Sequence, residues 1–298
     1  MLSAAQHEAV TSEAARPLQI LAGPGSGKTR VLTSRVAHLV RDSAAPIAPE
    51  RCVVVTFTNR AANEMRARLE TMIGADRTRR LVLGTFHAVC VRFLRRWGTR
   101  LGLDPRFTIA DTDDARRLLR DVDRDAPVDA TLAAISRAKA HGWTPDELRA
   151  SAQHTPGSPA HTEHLALCRT YAAYQQQLRT SHALDFDDLL LLGVRLFREH
   201  PELTSHIDHV LVDEFQDTNA VQYELLRRLS RHVSVVGDPD QSIYSWRHAD
   251  VRHIERMHLD FPGLHRVLLE ENYRSTPQIL EAALRVMQQD PHLSLIHI

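Results

Sequence analysis

No run of apolar residues in this 298-residue sequence approaches the ~20 needed for a helix to cross a bilayer, which sets aside a membrane-spanning reading. The opening residues MLSAAQHEAV lack the apolar core of a secretory signal, so the expectation is a soluble, cytoplasmic protein with no membrane partner. Cysteine is scarce. Cys52, Cys90 and Cys168 are odd in number and widely spaced, with no CxxC among them, which fits reduced thiols in a reducing compartment and argues against a disulfide framework. Excess charge of either sign is missing too: 37 basic residues balance 37 acidic ones, so there is no global positive field and any nucleic-acid binding has to be local. Disorder has no support, because 43% apolar residues over this length is enough for a buried core and about two domains.

What the chain does have is Leu18 to Thr29, LQILAGPGSGKT. Leu18 to Ala22 is an apolar run of strand length, Gly23, Pro24, Gly25, Ser26 and Gly27 break it, and a helical pattern follows. Strand, loop and helix in that order make a phosphate cradle. The glycines allow a tight turn with backbone N–H groups aimed at a polyphosphate, Lys28 reaches its outer oxygens, and the Thr29 hydroxyl can hold Mg²⁺. We take Ala22 to Thr29, with Arg30 beside it, as the nucleotide-binding stretch; the general pattern has glycine where this chain has Ala22.

Several other stretches carry candidate chemistry. Gln6, on a short helix expected over 2–13, has an amide suited to the edge of adenine, although a surface glutamine is the plainer reading. Cys52 to Phe57 reads as a strand covered on both faces of a parallel sheet, and TFTNRAA then enters a helix, where Thr58 or Asn59 is a helix cap or, with Arg60, a phosphate-backbone contact. Leu81 to Thr85 is a further strand running into Phe86 and His87, and Arg92, Arg95, Arg96 and Arg100 follow on a helix face that water alone can explain. The strand pattern returns at 210–212 and ends in Asp213 and Glu214, two adjacent acids of which one can hold a metal while the other polarises an attacking water. Val233 to Val236 leads to GDPDQSIYSWR, where Gln241 can sense a γ-phosphate and Tyr244 and Trp246 either pack in the core or stack on single-stranded bases. Beyond a strand at 267–269, Tyr273 can stack on adenine and Arg274 can act as an arginine finger.

Between about His87 and His182 the pattern is helices and loops with no convincing strand, as expected of a helical domain inserted into the sheet. Two decoys sit there. Asp121, Asp123, Asp125 and Asp129 imitate half of a calcium loop, but Ala126 replaces the glycine and Leu132 the bidentate Glu. His161, His164 and Cys168 have ligand-like helical spacing, with only His154 nearby as a fourth ligand, and a solvated helix face is preferred.

The ordered set QHEAV, AGPGSGKT, TFTNRAA, GTFH, LDFDDLL, VDEFQDTN, VVGDPDQSIYSWRHAD and LEENYRST closely resembles the UvrD/Rep/PcrA family of superfamily 1 DNA helicases, from Gln6 to about Ile279. Ala22 is what that family shows in place of the first glycine, whereas Arg60 stands where it commonly has Lys and His248 where it commonly has Gly. The resemblance implies an α/β fold: a RecA-like P-loop parallel sheet flanked by helices, an inserted all-helical domain and only the start of a second RecA-like lobe. It places the first lobe at 1–87 and 184–265, the insertion at 88–183, the second lobe's start at 266–292 and a tail at 293–298 that looks truncated or foreign. It also implies ATP and Mg²⁺ as cofactors. Gln6 and Tyr273 would contact the nucleotide, Lys28 and Thr29 its phosphate and metal, Asp213 the metal, Glu214 the water, Gln241 the γ-phosphate and Arg274 the transition state. Phe57, Thr58, Asn59, Arg60, Thr85, His87, Tyr244 and Trp246 would line a path for single-stranded DNA and its junctions with duplex. The implied activity is that of an ATP-dependent 3′ to 5′ DNA helicase or translocase in repair or replication, present as its N-terminal portion and expected to unwind weakly or not at all alone. A helicase-nuclease motor and a fragment that binds ATP and DNA without turnover are the alternatives, and protein partners cannot be read.

Overall fold

A computed structural model describes residues 2–151, 158–230, 232–242 and 249–287. They form two compact units: one within Met1–Val89, Pro201–Thr218 and Leu226–Ile298, the other within Cys90–His200 and Asn219–Leu225.

The first unit is built on a parallel sheet of six strands: β1 (Leu18–Ala22), β2 (Cys52–Thr56), β3 (Val82–Thr85), β6 (His209–Val212), β7 (Val233–Gly237) and β8 (His265–Leu269), in the spatial order β3-β2-β6-β7-β1-β8. Every residue of β1, β2, β6 and β7 is buried, which is why these strands read as continuous apolar runs and not as alternations. The register pairs Leu18 with Ser234 and His265, Val53 with Val82 and Val210, and Val210 with Val233. Helix α2 (Lys28–Ala37) buries Val31, Leu32 and Val36 in a core with Ile20, Val54, Leu211 and Val236, and α3 (Asn59–Ile73) adds Met65, Leu69 and Ile73, spaced for one helix face. Helix α1 (Ala4–Thr11) opens with a reciprocal capping box: Gln6 N–H donates to Ser3 Oγ while Ser3 N–H donates to Gln6 Oε1.

One expectation needs correcting here. Residues 266–269, assigned from sequence to a second lobe, belong to β8, which pairs in parallel with β1 over Leu18–Ala22 and extends the first sheet. Burial alternates along it, with Val267 and Leu269 buried and Arg266 and Leu268 exposed, which suits an edge strand that has one face on the core.

The second unit is helical: α6 (Thr112–Val122), α7 (Val128–Ala140), α8 (Pro145–Ala150), α9 (Pro159–Thr180) and α10 (Phe186–Glu199), with a two-residue pairing of β4 (Thr108–Ile109) and β5 (Ala183–Leu184) that periodicity could not reveal. Its core gathers Leu119, Ile135, Cys168, Tyr171, Tyr174 and Leu178. The unit runs on past the boundary expected at 183, and the reason is electrostatic. Lys139 of α7, fully buried, donates to Asp185 at 2.7 Å and Asp188 at 2.8 Å at the start of α10, while Tyr174 Oη donates to Asp185 and Gln175 Nε2 to Asp188. The acids that imitated a calcium loop have other work: Thr170 Oγ1 donates to Asp123 and Arg116 pairs with Asp129.

Candidate functional site

The order of the sheet decides what meets what. Loops at the carboxyl ends of β7, β1 and β8 are neighbours, so the phosphate loop after β1 is flanked by the turn after β7 on one side and the turn after β8 on the other. Gly25 and Gly27 have φ of +70° and +87°, left-handed backbone that glycine adopts without strain. Crowding adds to this at Gly25, where a Cβ would fall 2.6 Å from Asn272 Nδ2 and 2.7 Å from Arg274 Cβ. Ser26 Oγ donates to Gly23 O at 2.6 Å and closes the loop on itself, while Pro24 stays exposed.

Lys28 points back across this loop. Its Nζ donates to Ala22 O at 3.1 Å and Gly23 O at 3.4 Å, and pairs at 3.4 Å with Asp238, a fully buried acid at the end of β7. Gln241 Nε2 donates to the same Asp238 carboxylate. Asp238 went unassigned in the sequence reading. An acid directly after a buried strand was the signal for Asp213, and it applies equally to Asp238.

At the end of β6, Asp213 is 4% exposed and its side chain is hydrogen-bonded to that of Thr29. Burial first, and then the neighbouring Glu214 charge, push its carboxyl up to about 7. Asp217 is raised to about 7 by the same two causes. Glu214 sits in left-handed backbone at φ +49° and ψ 48°, so consecutive acids project differently: Asp213 is buried and Glu214 half-buried. Gln216, also unassigned from sequence, is buried between them and β7. Its Nε2 donates to Glu214 Oε2 at 2.9 Å and its Oε1 accepts from Asp238 N–H at 3.0 Å.

On the β8 side, Tyr273 N–H donates to Gly25 O at 2.9 Å and Asn272 Nδ2 donates to Pro24 O, while Asn272 Oδ1 accepts from the N–H groups of Arg274 and Ser275. Tyr273 and Arg274 are exposed, and Tyr273 Oη donates to Glu271. Gln6 is 2% exposed, and its Nε2 donates to Ser26 O at 2.9 Å, so the capping box and the phosphate loop together fix the orientation of its amide. Ser3, Gln6, Ser26, Leu269, Glu271 and Tyr273 are among the residues that line a small recess here. Arg30, in the first turn of α2, is exposed.

The donor set suits a magnesium nucleotide. A hydroxyl and a desolvated carboxylate are hard oxygen ligands, Mg²⁺ binds through one or two such groups with water and phosphate supplying the rest, and the Lys28 charge does not outweigh the burial of Asp213.

The remaining candidates lie farther along the same rim. Thr58, Asn59 and Arg60 are exposed where β2 gives way to α3, with Phe57 half-buried before them. Thr85, the last residue of β3, and His87 just beyond it are half-buried, and burial lowers the His87 imidazole from its ordinary value. Both threonines cap helices: Thr58 Oγ1 accepts from Ala61 N–H at 3.1 Å and Thr85 Oγ1 from Ala88 N–H at 3.3 Å. Tyr244, Trp246 and His248 lie outside the described residues.

Comparison with known proteins converges on these elements. A family model described as the UvrD/REP helicase N-terminal domain matches residues 2–262. Among curated relatives, an ATP-dependent DNA helicase PcrA from Leuconostoc citreum is 42% identical over 92% of this chain and 37% of its own length. Proteins of the same name from Staphylococcus epidermidis and Staphylococcus aureus are each 39% identical, over 97% and 96% of this chain and 40% of their own lengths. The chain thus spans about two fifths of the curated relatives it matches. No helix among the described residues is long and apolar enough to cross a membrane. With the phosphate loop, the paired acids and their flanking turns all inside the matched span, the chain belongs to the UvrD/REP helicase N-terminal domain family.

Proposed function

We propose that this chain is the nucleotide-hydrolysing part of an ATP-dependent 3′ to 5′ DNA helicase or translocase, acting in the cytoplasm on single-stranded DNA and its junctions with duplex. One observation carries the reading: Lys28 at the glycine-rich loop meets Asp238, which also takes Gln241, while Asp213, beside Glu214, bonds to the Thr29 side chain that follows the loop. The names of the relatives give it direction.

In this reading the loop N–H groups and Lys28 take the outer phosphates, Lys28 exchanging its present carbonyl partners and Asp238 for phosphate oxygens. Thr29 and Asp213 would hold Mg²⁺, which would supply positive charge to offset that of the phosphates. Glu214 accepts the proton of the attacking water, and Gln241 reports on the γ-phosphate from a position already bonded to Asp238. Gln6 and Tyr273 hold the adenine end, and Arg274 meets the developing charge. Phe57, Thr58, Asn59, Arg60, Thr85 and His87, with Tyr244 and Trp246, are assigned to single-stranded DNA. The exposed trio Thr58, Asn59 and Arg60 at a helix start supports a phosphate-backbone contact.

The test is steady-state ATP hydrolysis with and without single-stranded DNA, with Lys28→Ala and Glu214→Gln as controls. The reading expects DNA-stimulated turnover that both substitutions abolish. Turnover indifferent to either variant would refute it.

A further inference from the structure

We infer that Gln216 is a positioning residue for Glu214, holding that carboxylate in register with the turn after β7. The inference rests on the reading of Glu214 as the base in nucleotide hydrolysis.

A base that must meet one water molecule needs a fixed carboxylate, and Glu214 gets little help from its own backbone. It is half-buried, carries three side-chain torsions and stands in left-handed conformation, and its N–H is already committed to Asp213 Oδ1 at 3.1 Å. Gln216 supplies the restraint. It is 2% exposed, and both ends of its carboxamide are engaged: Nε2 with Glu214 Oε2 at 2.9 Å, Oε1 with Asp238 N–H at 3.0 Å. These bonds also define its chemistry. Only a side chain that donates at one end and accepts at the other can bridge a carboxylate and a backbone N–H; Glu cannot donate when ionised, and Met has no donor and only a weakly accepting sulfur.

The surroundings are shaped for this amide. A Cβ at Gly237 would fall 2.8 Å from Gln216 Oε1 and 3.3 Å from its backbone N, so the end of β7 leaves room for Gln216 by having no side chain there. The residue whose N–H is accepted is Asp238, the acid that takes Lys28 Nζ at 3.4 Å and Gln241 Nε2. One buried carboxamide therefore ties the water-activating acid to the turn that contacts the phosphate-binding lysine and the phosphate-sensing glutamine.

The test compares Gln216→Met and Gln216→Glu with the parent chain. Met keeps the volume and loses both bonds, while Glu keeps the volume and the acceptor for Asp238 N–H and replaces the donor with a second acid. We expect kcat for ATP hydrolysis to fall about 10- to 100-fold in each, as displacement of a reacting group does, with KM for ATP within about twofold because the phosphate loop is untouched. A kcat within about twofold of the parent in folded Gln216→Met overturns the inference. The second measurement needs no turnover: the Gln216 side-chain amide protons, followed by NMR in the parent and in Glu214→Ala. Loss of the acceptor should shift these resonances and speed their exchange with solvent, and unchanged shift and exchange overturn the inference. If the parent chain does not hydrolyse ATP while the amide responds to Glu214, the hydrolysis reading has failed for this chain and the positioning contact stands.

Discussion

Arg35 is the most consequential residue that touches neither candidate ligand. It lies on α2, fully buried, and no carboxylate among the described residues pairs with it. Its guanidinium instead donates to Ser234 Oγ at 2.7 Å, Ser12 O at 2.9 Å, Ala9 O at 3.1 Å and Val10 O at 3.3 Å. Three of these acceptors are carbonyls at or just past the end of α1, which would otherwise lack partners. Burial lowers the guanidinium from 12.5 to about 10, against a small opposing effect of Cys52, so it stays charged at neutral pH at a desolvation cost of roughly 3 kcal/mol. Hydrogen bonds from a charged donor are worth about 1.5–3 kcal/mol each, so four at the lower end give about 6. Arg35→Met releases the cost and forfeits the bonds, for a net loss of about 3 kcal/mol. For a domain of this size that is a fall in Tm of roughly 6–12 °C. Urea unfolding measures the free energy and a thermal scan the midpoint. Because α1 also carries Gln6, affinity for ATP should fall with it, and Arg35→Lys should be intermediate in both. A loss below about 1 kcal/mol would refute the assignment of Arg35 as the clamp on α1.

Other perturbations follow from the same contacts. Gly25→Ala places a side chain 2.6–2.7 Å from Asn272 and Arg274 at φ +70°, so the loop must shift: ATP affinity should drop at least about tenfold, and binding within twofold of the parent, by fluorescent nucleotide titration, would contradict the packing. His209, fully buried, has its imidazole held well below its ordinary value by burial, then by Arg35 and His232, and stays neutral in the fold. The unfolded chain binds a proton below about pH 6.5 that the fold refuses, so stability should fall by up to about 2 kcal/mol between pH 6.5 and 5, and His209→Asn should flatten that slope. In the helical unit, burial opposes the Lys139 charge, but Asp188 and Asp185 outweigh it and hold its ammonium above the ordinary value. Lys139→Met strands two acids, one of them buried, and should cost about 3–5 kcal/mol in urea unfolding; a neutral outcome would mean that the acids find other partners.

Much of the sheet was legible because its central strands are buried on both faces and announce themselves as apolar runs at Leu18–Ala22, Cys52–Thr56 and Val233–Gly237. What sequence does not carry is the partner of each strand. β8 was expected to open a second lobe on the strength of the family resemblance; its place beside β1 is a long-range pairing that no local pattern encodes. Buried polar groups were hidden for a related reason. Arg35 sits on a helix as an ordinary surface arginine would, and only the fold brings Ser234 and the end of α1 to it. Lys139, Asp185 and Asp188 likewise look like solvated charges until α7 and α10 meet. Residues with a local chemical signature could be singled out, whereas Asp238 and Asn272, which contact the phosphate loop from neighbouring strand ends, and Gln216, which bridges Glu214 to Asp238, could not.

In the proposed reading the strand order also separates two tasks on one rim. Neighbouring strands stand about 4.8 Å apart, so from the phosphate loop after β1 the end of β7 is one step away, β6 two, β2 three and β3 four. The backbone of the acids after β6 therefore stands roughly 10 Å from the loop, a gap that their side chains reach across, while the residues after β2 and β3 stand roughly 14 and 19 Å away, which in that reading suits them to a different ligand. Any coupling between the two ligands through this rim crosses the ends of β6 and β7. There Asp213 N–H donates to Val55 O of β2 on one side, and Gln216 joins Glu214 to Asp238 on the other. A substitution at Gln216 is accordingly expected to weaken the stimulation of ATP turnover by DNA more than it weakens the binding of either ligand, and single-stranded DNA affinity measured by fluorescence anisotropy beside the turnover assay separates the two. Equal losses in binding and stimulation would place the coupling elsewhere.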